Sequence, residues 1–149
     1  MFKKNKVLII GSDHGGYKLK EFLKEKLIKK GYKLKDYGTY SEKSIDYPDI
    51  IHPLSKSINN SEHEIGIIIC GSGNGAQMTA NKYPNVRAAL CWNVEQAKLS
   101  RLHNDANIIS LPGRFIDEET AFKMVEIFLN TEFEGGRHKK RVEKISKII

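Results

Sequence analysis

A cysteine followed at once by a glycine-rich turn, CGSGNG at residues 70–75, is the segment of this chain best suited to chemistry. It follows the apolar run IGIII and precedes the helix-forming stretch AQMTANK, so a thiol and an anion-binding turn meet at the carboxyl end of a buried strand. Gly71, Gly73 and Gly75 let the backbone approach a ligand closely and aim successive N–H groups at it, and the helix start adds partial positive charge. A thiolate at Cys70 can accept a proton while the N–H groups of residues 71–75, Asn74 among them, stabilise charge developing on an oxygen. The motif alone fits a tight strand-to-helix turn with a buried, inert cysteine equally well. Asp13 and His14 follow another apolar run and Arg114 a third. Taken singly, Asp13 reads as a helix N-cap and His14 as a loop residue.

What must position these residues is an alternation of strand-like and helical patterns. KVLIIG leads to YKLKEFLKEKLIKK, and YKLKDYG leads through a longer polar connection to IIHPLSKSI. IGIIIC leads to the glycine turn and a short helix, VRAALCW to VEQAKLSRLH, and NIISLP to EETAFKMVEIFLN. Five such units predict an α/β three-layer sandwich, a five-stranded parallel sheet with helices on both faces, Rossmann- or flavodoxin-like. In the first helix Leu19, Phe22, Leu23, Leu27 and Ile28 form the inward stripe, with Lys18, Lys24 and Lys29 outward. Asn93 with Gln96 predicts a capping box, and Asp117 before Glu118 and Glu119 predicts a helix start. Gly31 and the Gly135-Gly136 pair suit helix ends. Val142, Ile145 and Ile149 give the tail an apolar stripe at helical spacing.

The 149 residues fit one domain, with no repeat, low-complexity tract or linker. Cys70 and Cys91 have no CxxC spacing and no companion histidine cluster, which argues against a zinc site and a disulfide scaffold. The apolar run near the N-terminus, VLII, is too brief for a signal-peptide core or a membrane span, so a soluble cytoplasmic protein without membrane partners is expected. A formal net charge of +7 invites a polyanion partner. Most of the excess is scattered lysine, however, and the one tight cluster is RHKKR at residues 137–141.

In open parallel sheets, ligands bind at the carboxyl ends of strands near a topological switch point. A flavodoxin-like order of 2-1-3-4-5 makes the first and third strands neighbours there, which brings Asp13, His14 and Cys70 to one crevice.

The chain resembles the type B family of sugar-phosphate isomerases, which includes ribose-5-phosphate isomerase B and enzymes acting on galactose 6-phosphate and allose 6-phosphate. The matching pieces are GSDHGG at residues 11–16, DYPD at 46–49, ICGSGNG at 69–75, ANK at 80–82, SRLHND at 100–105 and EGGRHKKRV at 134–142. They run in family order through nearly the whole chain. The resemblance implies an aldose–ketose isomerase without metal or coenzyme, interconverting ribose 5-phosphate and ribulose 5-phosphate through an enediolate. It implies that Cys70 shuttles the carbon-bound proton, that Ser72, where the family often has Thr, assists proton movement between substrate oxygens, and that Asp13 orients hydroxyls. It further implies that His14 lies beside the phosphate, that His103 assists ring opening, that Asn104 holds the intermediate, and that Arg114, Arg137 and Arg141 bind the phosphate. His138, Lys139 and Lys140 gain no role from it and keep a surface reading. Tyr47 either lines the sugar pocket or stabilises the turn before Pro48.

A homodimer or dimer of dimers with shared active sites is also expected. A crossover helix runs antiparallel to its strands, so His103, at the end of the helix after the fourth strand, should return to the amino edge of the sheet. Cys70 lies at the other edge, about 17 to 20 Å away for a strand of ordinary length. Two rival readings compete. Gly71, Gly73 and Ala76 satisfy GxGxxA, so a dinucleotide-binding oxidoreductase is conceivable, although the motif follows the third strand and the nearest later acid, Glu95, falls within a helix. A nucleic-acid-binding module would suit the charge, but neither rival accounts for Asp13, Cys70, His103 and Arg114 together.

Overall fold

The computed structural model describes residues 1–147, so Ile149, the last position of the tail's apolar stripe, lies outside the described residues. Five strands, β1 (Val7–Ser12), β2 (Lys33–Asp36), β3 (Gly66–Cys70), β4 (Ala88–Leu90) and β5 (Ile108–Pro112), pair in parallel into one sheet. Six helices accompany them: α1 (Tyr17–Lys29), α2 (Tyr47–Asn59), α3 (Asn74–Ala80), α4 (Val94–Asn104), α5 (Glu118–Asn130) and α6 (Gly136–Ile145). Alternation along the strands sends side chains to two cores. Leu8, Ile10, Ile67, Ile69, Ile109 and Leu111 pack with α1, α4 and α5. Ile9, Ile68, Cys70 and Ile108 pack with α2 and α3 on the opposite face.

The strand order is β2-β1-β3-β5-β4, which corrects the expected 2-1-3-4-5. Burial explains the exchange: every residue of β5 is buried, as a central strand between two helical layers requires, whereas β4 has three residues and two of them are partly exposed. The correction matters for the site, because β5 now lies directly against β3 and pairs Pro112 with Cys70.

Local signals at the helix ends hold with two changes. The Asn93 side chain accepts from the Gln96 N–H at 2.8 Å, but Gln96 Oε1 reaches the Trp92 N–H rather than that of Asn93 itself, so the box is displaced by one residue. Asp117 accepts from the Thr120 N–H and caps α5, and Gly31 has a positive φ just past α1. Gly135 and Gly136 open α6 instead of closing α5, which ends at Asn130. On α1 the inward stripe is Leu19, Leu23 and Leu27 with Phe22 at its margin, while Ile28 is 58% exposed.

Lys20 is fully buried on that same helix. Its ammonium donates to Asp36 at 2.5 Å and to Glu21 at 2.8 Å, and Lys24 donates to the same Asp36 oxygen at 2.6 Å. Asp36 Oδ1 also accepts from the Gly38 N–H, so the network ties α1 to the end of β2 and the loop beyond it. Burial alone would raise the Asp36 carboxyl, but hydrogen bonds from Lys20 and Lys24 hold it below its ordinary value of 3.8. A carboxylate depressed by folding stabilises the fold above its unfolded value and loses that contribution as pH falls through the lower folded one. Lys20→Met should cost about 3 kcal/mol in urea unfolding, the lower end for breaking a buried pair because Lys24 remains. The deficit should shrink below pH 3.8 as Asp36 takes up a proton. An equal deficit at neutral and acid pH would mean that packing of the lysine stem, and not its charge, is what the variant removes.

Candidate active site

The carboxyl edge of the sheet gathers three strand ends and the start of α2. Ser12 is in register with Ile69, and the Asp13 N–H continues the ladder to the Ile69 carbonyl at 3.2 Å. Asp13 is 7% exposed and caps the 3-10 turn at His14–Gly16, its Oδ1 accepting from the Gly16 N–H at 3.1 Å. The turn presses against the Cys70 loop: a Cβ on Gly15 would lie 3.3 Å from both Asp13 Oδ1 and Gly71 N. Cys70 is 4% exposed and ends the strand beside the one that Asp13 follows.

From the other side, the Gly113 N–H donates to the Cys70 carbonyl at 2.9 Å and the Arg114 N–H to Gly71 at 3.0 Å. The exposed Arg114 side chain folds back over the turn, since a Cβ on Gly71 would lie 3.4 Å from its Cδ and 3.5 Å from its guanidinium. Gly73 takes φ +77°, a left-handed conformation that a side chain would strain, and its carbonyl accepts from Ser110 Oγ at 2.7 Å. Ser72 Oγ accepts from the Asn74 N–H at 3.3 Å, and α3 begins at Asn74, so the helix start with its unpaired N–H groups stands at this edge of the sheet. Tyr47, the first residue of α2, lays its ring against Gly75, where any side chain would overlap it. His14 accepts from the Ile45 N–H through Nδ1 at 3.2 Å, which orients the ring. The arrangement joins a thiol, a carboxylate, a histidine, a guanidinium and a glycine turn in one place. Such a set can bind an anionic polyol and move a proton on its carbon chain.

Cys91 offers a contrast. It lies just past β4 in the other core, and burial pushes its thiol up to about 11, with a Ser100 hydrogen bond only partly opposing. Both cysteines are free.

The remaining candidates lie elsewhere. His103 and Asn104 are the last residues of α4, after which the Ala106 N–H bonds Ser100 and the Gly66 N–H bonds Asn107, at the amino edge of β3 and β5. β5 alone separates that edge from Cys70 by about 13 Å at 3.3 Å per residue. Within one chain His103 therefore does not meet Cys70. Arg137 and Arg141 are exposed and one turn apart on α6, which packs on α4.

The surface reading of His138 is corrected, because it is 7% exposed and stacks on His103 with ring centroids 4.3 Å apart. Burial, followed by the nearby His103 and Arg137 charges, lowers the His138 imidazole from its ordinary value. Glu134 approaches both rings. Sequence reasoning missed this triad because His103 is distant in the chain from the other two; the one local signal was the i,i+4 spacing of Glu134 and His138 across the glycine pair.

The model of the ribose/galactose isomerase family matches residues 8–145. The chain belongs to that family. Ribose-5-phosphate isomerase B of Escherichia coli is 37% identical over 143 residues, covering 96% of each chain. A solved ribose 5-phosphate isomerase from Thermotoga maritima superposes with a TM-score of 0.93 at 47% identity, over 96% of this chain and 99% of that one. The Mycoplasma genitalium ribose-5-phosphate isomerase B, solved with bound ribulose-5-phosphate, gives a TM-score of 0.89 at 39% identity, over 94% of this chain and 93% of that one. Family membership places the glycine turn in an isomerase fold rather than in a dinucleotide-binding oxidoreductase. No helix among the described residues is long and apolar enough to cross a membrane.

Proposed function

We propose that this chain is one cytoplasmic isomerase domain that interconverts D-ribose 5-phosphate and D-ribulose 5-phosphate through an enediolate, with Cys70 as the base. The observation that carries this reading is the convergence of Asp13, Cys70, the glycine turn and Arg114 at the β1, β3 and β5 ends of a family fold. A relative of the same fold, that of Mycoplasma genitalium, is solved with ribulose-5-phosphate bound. In the open-chain aldose, the Cys70 thiolate removes the C2 proton, the C2–H electrons form the C1–C2 double bond, and the carbonyl oxygen becomes the enediolate oxygen. N–H groups of residues 71–75 offset that charge. Ser72 relays a proton between the two substrate oxygens, and the Cys70 thiol returns its proton to C1, leaving the ketone at C2. Asp13 and Asn74 orient hydroxyls, Tyr47 lines the sugar, and His14 with Arg114 holds the phosphate. No metal or coenzyme is needed for this proton transfer.

Ring opening must precede it, and the distance between His103 and Cys70 supports a site shared by two copies in a homodimer or a dimer of dimers. On this reading one copy supplies Cys70 and its turn. The other supplies His103 to move the proton between the anomeric hydroxyl and the ring oxygen, Asn104 to hold the intermediate, and Arg137 and Arg141 to clamp the phosphate. A mostly apolar groove of about 930 Å³ beside the edge strand β4, lined in part by Tyr83, Leu90, Leu99, Asn104 and Ile145, is a surface such a copy can cover.

The test is one panel comparing isomerisation of ribose 5-phosphate, allose 6-phosphate, galactose 6-phosphate and free ribose. The pentose phosphate is expected to have the highest kcat/KM. Arg137→Ala or Arg141→Ala should weaken phosphorylated substrates at least tenfold relative to free ribose, because each removes a charge-assisted hydrogen bond of about 1.5 to 3 kcal/mol. Equal losses for phosphorylated and free sugar would remove the clamp, and a hexose phosphate preferred over ribose 5-phosphate would reassign the substrate.

A further inference from the structure

Among the described residues of α6, His138 alone is buried, and neither the proton transfer at Cys70 nor the phosphate contacts use it directly. Its backbone N–H donates to the Gly135 carbonyl at 2.9 Å, which sets it in the first turn of α6. The Glu134 N–H donates to the Leu102 carbonyl at 3.0 Å, which docks that turn against the end of α4. The His138 and His103 imidazoles then lie in planes 8° apart with centroids 4.3 Å apart, so one face of the His103 ring is covered by the ring of a buried residue. The His103 side chain is itself 34% exposed, and this stack restricts the tilt that such a ring otherwise has. Glu134 stands 3.7 Å from His103 Nε2, too far for a hydrogen bond, and its carboxylate is exposed. The stack, and not an ion pair, therefore carries the orientation.

His138 also meets the phosphate clamp. Its Nε2 accepts from Arg137 Nε at 3.5 Å. An imidazole nitrogen that accepts carries no proton, so His138 is neutral with its proton on Nδ1. Burial, followed by the His103 and Arg137 charges, acts in the same sense by lowering its imidazole from the ordinary value. The bond engages Nε of Arg137, which leaves the two terminal nitrogens for end-on contact with phosphate oxygens.

We propose that His138 is a positioning residue: its ring holds His103 in the orientation that opens the sugar ring and anchors Arg137 at the phosphate, a role that rests on those proposed above for His103 and Arg137. The parts that one copy lends to its partner's site thus form one pre-assembled unit. Opening the furanose breaks the bond between C1 and the ring oxygen. The anomeric hydroxyl gives up a proton as C1 becomes the aldehyde carbon, and the ring oxygen gains one. One imidazole can carry that proton only if its edge reaches both oxygens, and a misplacement of about 1 Å can cost about a hundredfold.

Turnover of ribose 5-phosphate set against that of 4-deoxyribose 5-phosphate tests the role, because the analogue lacks the hydroxyl that closes the ring and needs no opening. In His138→Ala, kcat for ribose 5-phosphate should fall about tenfold or more while kcat for the open-chain analogue stays within about twofold of wild type. KM should rise for both, since Arg137 loses its anchor. His138→Phe keeps a flat ring to stack on but offers Arg137 no acceptor, so it should recover most of kcat for ribose 5-phosphate while KM stays raised. Equal loss of kcat on the two substrates in His138→Ala would overturn the proposal, as would a His138→Phe chain that unfolds at the wild-type urea midpoint yet recovers no kcat. His103→Ala separates these outcomes from failure of the underlying reading. Selective loss on ribose 5-phosphate in His103→Ala but not in His138→Ala removes the positioning role alone, whereas equal loss on both substrates in His103→Ala removes ring opening from His103 and the His138 role with it. A wild-type chain that does not turn over ribose 5-phosphate would remove the isomerase reading itself.

Discussion

Cys70→Ala is expected to lose about two to four orders of magnitude in kcat while retaining its affinity for ribose 5-phosphate, because general-base catalysis contributes about that factor and the substrate's polar contacts lie on other residues. Asp13 is fixed by the Ile69 carbonyl and the Gly16 N–H, and the turn after Cys70 is fixed by Gly113, Arg114 and Ser110. None of those contacts uses the thiol. Cys91→Ala should behave in the opposite sense, with near-normal turnover and a stability loss of about 1 kcal/mol from the lost sulfur packing. The two cysteines occupy opposite faces of the sheet, and burial pushes the Cys91 thiol up to about 11, where it stays protonated at neutral pH. Substrate turnover and urea unfolding measured on both variants separate thiol chemistry from thiol packing. Near-normal turnover in Cys70→Ala would remove the proposed base, and loss confined to Cys91→Ala would move the chemistry past β4.

Co-refolding inactive Cys70→Ala with inactive His103→Ala is expected to restore about a quarter of wild-type activity. Random pairing of a two-fold dimer makes half the molecules mixed, and one of the two sites in each mixed dimer then holds wild-type Cys70 and wild-type His103. The other site holds both lesions. The expectation rests on direction: α4 starts beside the carboxyl end of β4 and ends where Ala106 and Asn107 enter the amino edge of β5. Side chains that act on one sugar must stand within a few ångströms of it, and the length of β5 alone forbids that within one chain. Failure to regain turnover, once mixed dimers are demonstrated by mass, would require the His103 segment to reach Cys70 of its own chain.

Much of this placement was legible because it is local. The run IGIII ending at Cys70, the glycines after it and the Asp117 cap are each decided by neighbours in sequence, and the structure puts them on a strand end, a turn and a helix start. The strand order was not legible, because it depends on how thoroughly each strand is buried. NIISLP and VRAALCW look alike as apolar runs, yet only the first is buried throughout. Lys20 escaped for a different reason. A lysine beside an apolar stripe reads as outward, and what makes its burial tolerable is Asp36 on the neighbouring β2, a partner that helix periodicity cannot reveal. The same holds for His138, whose neighbour His103 comes from another helix.

The most direct measurement follows ribose 5-phosphate by proton magnetic resonance in D₂O with the wild-type chain and with Cys70→Ala. The account predicts that with the wild type the C2–H signal of the aldose falls as ketose signals grow, since the C2 proton is removed and C1 receives one from the base. With Cys70→Ala both changes should slow by about a hundredfold or more. Aldose signals left unchanged by the wild-type chain, or ketose formed equally fast by Cys70→Ala, would contradict it.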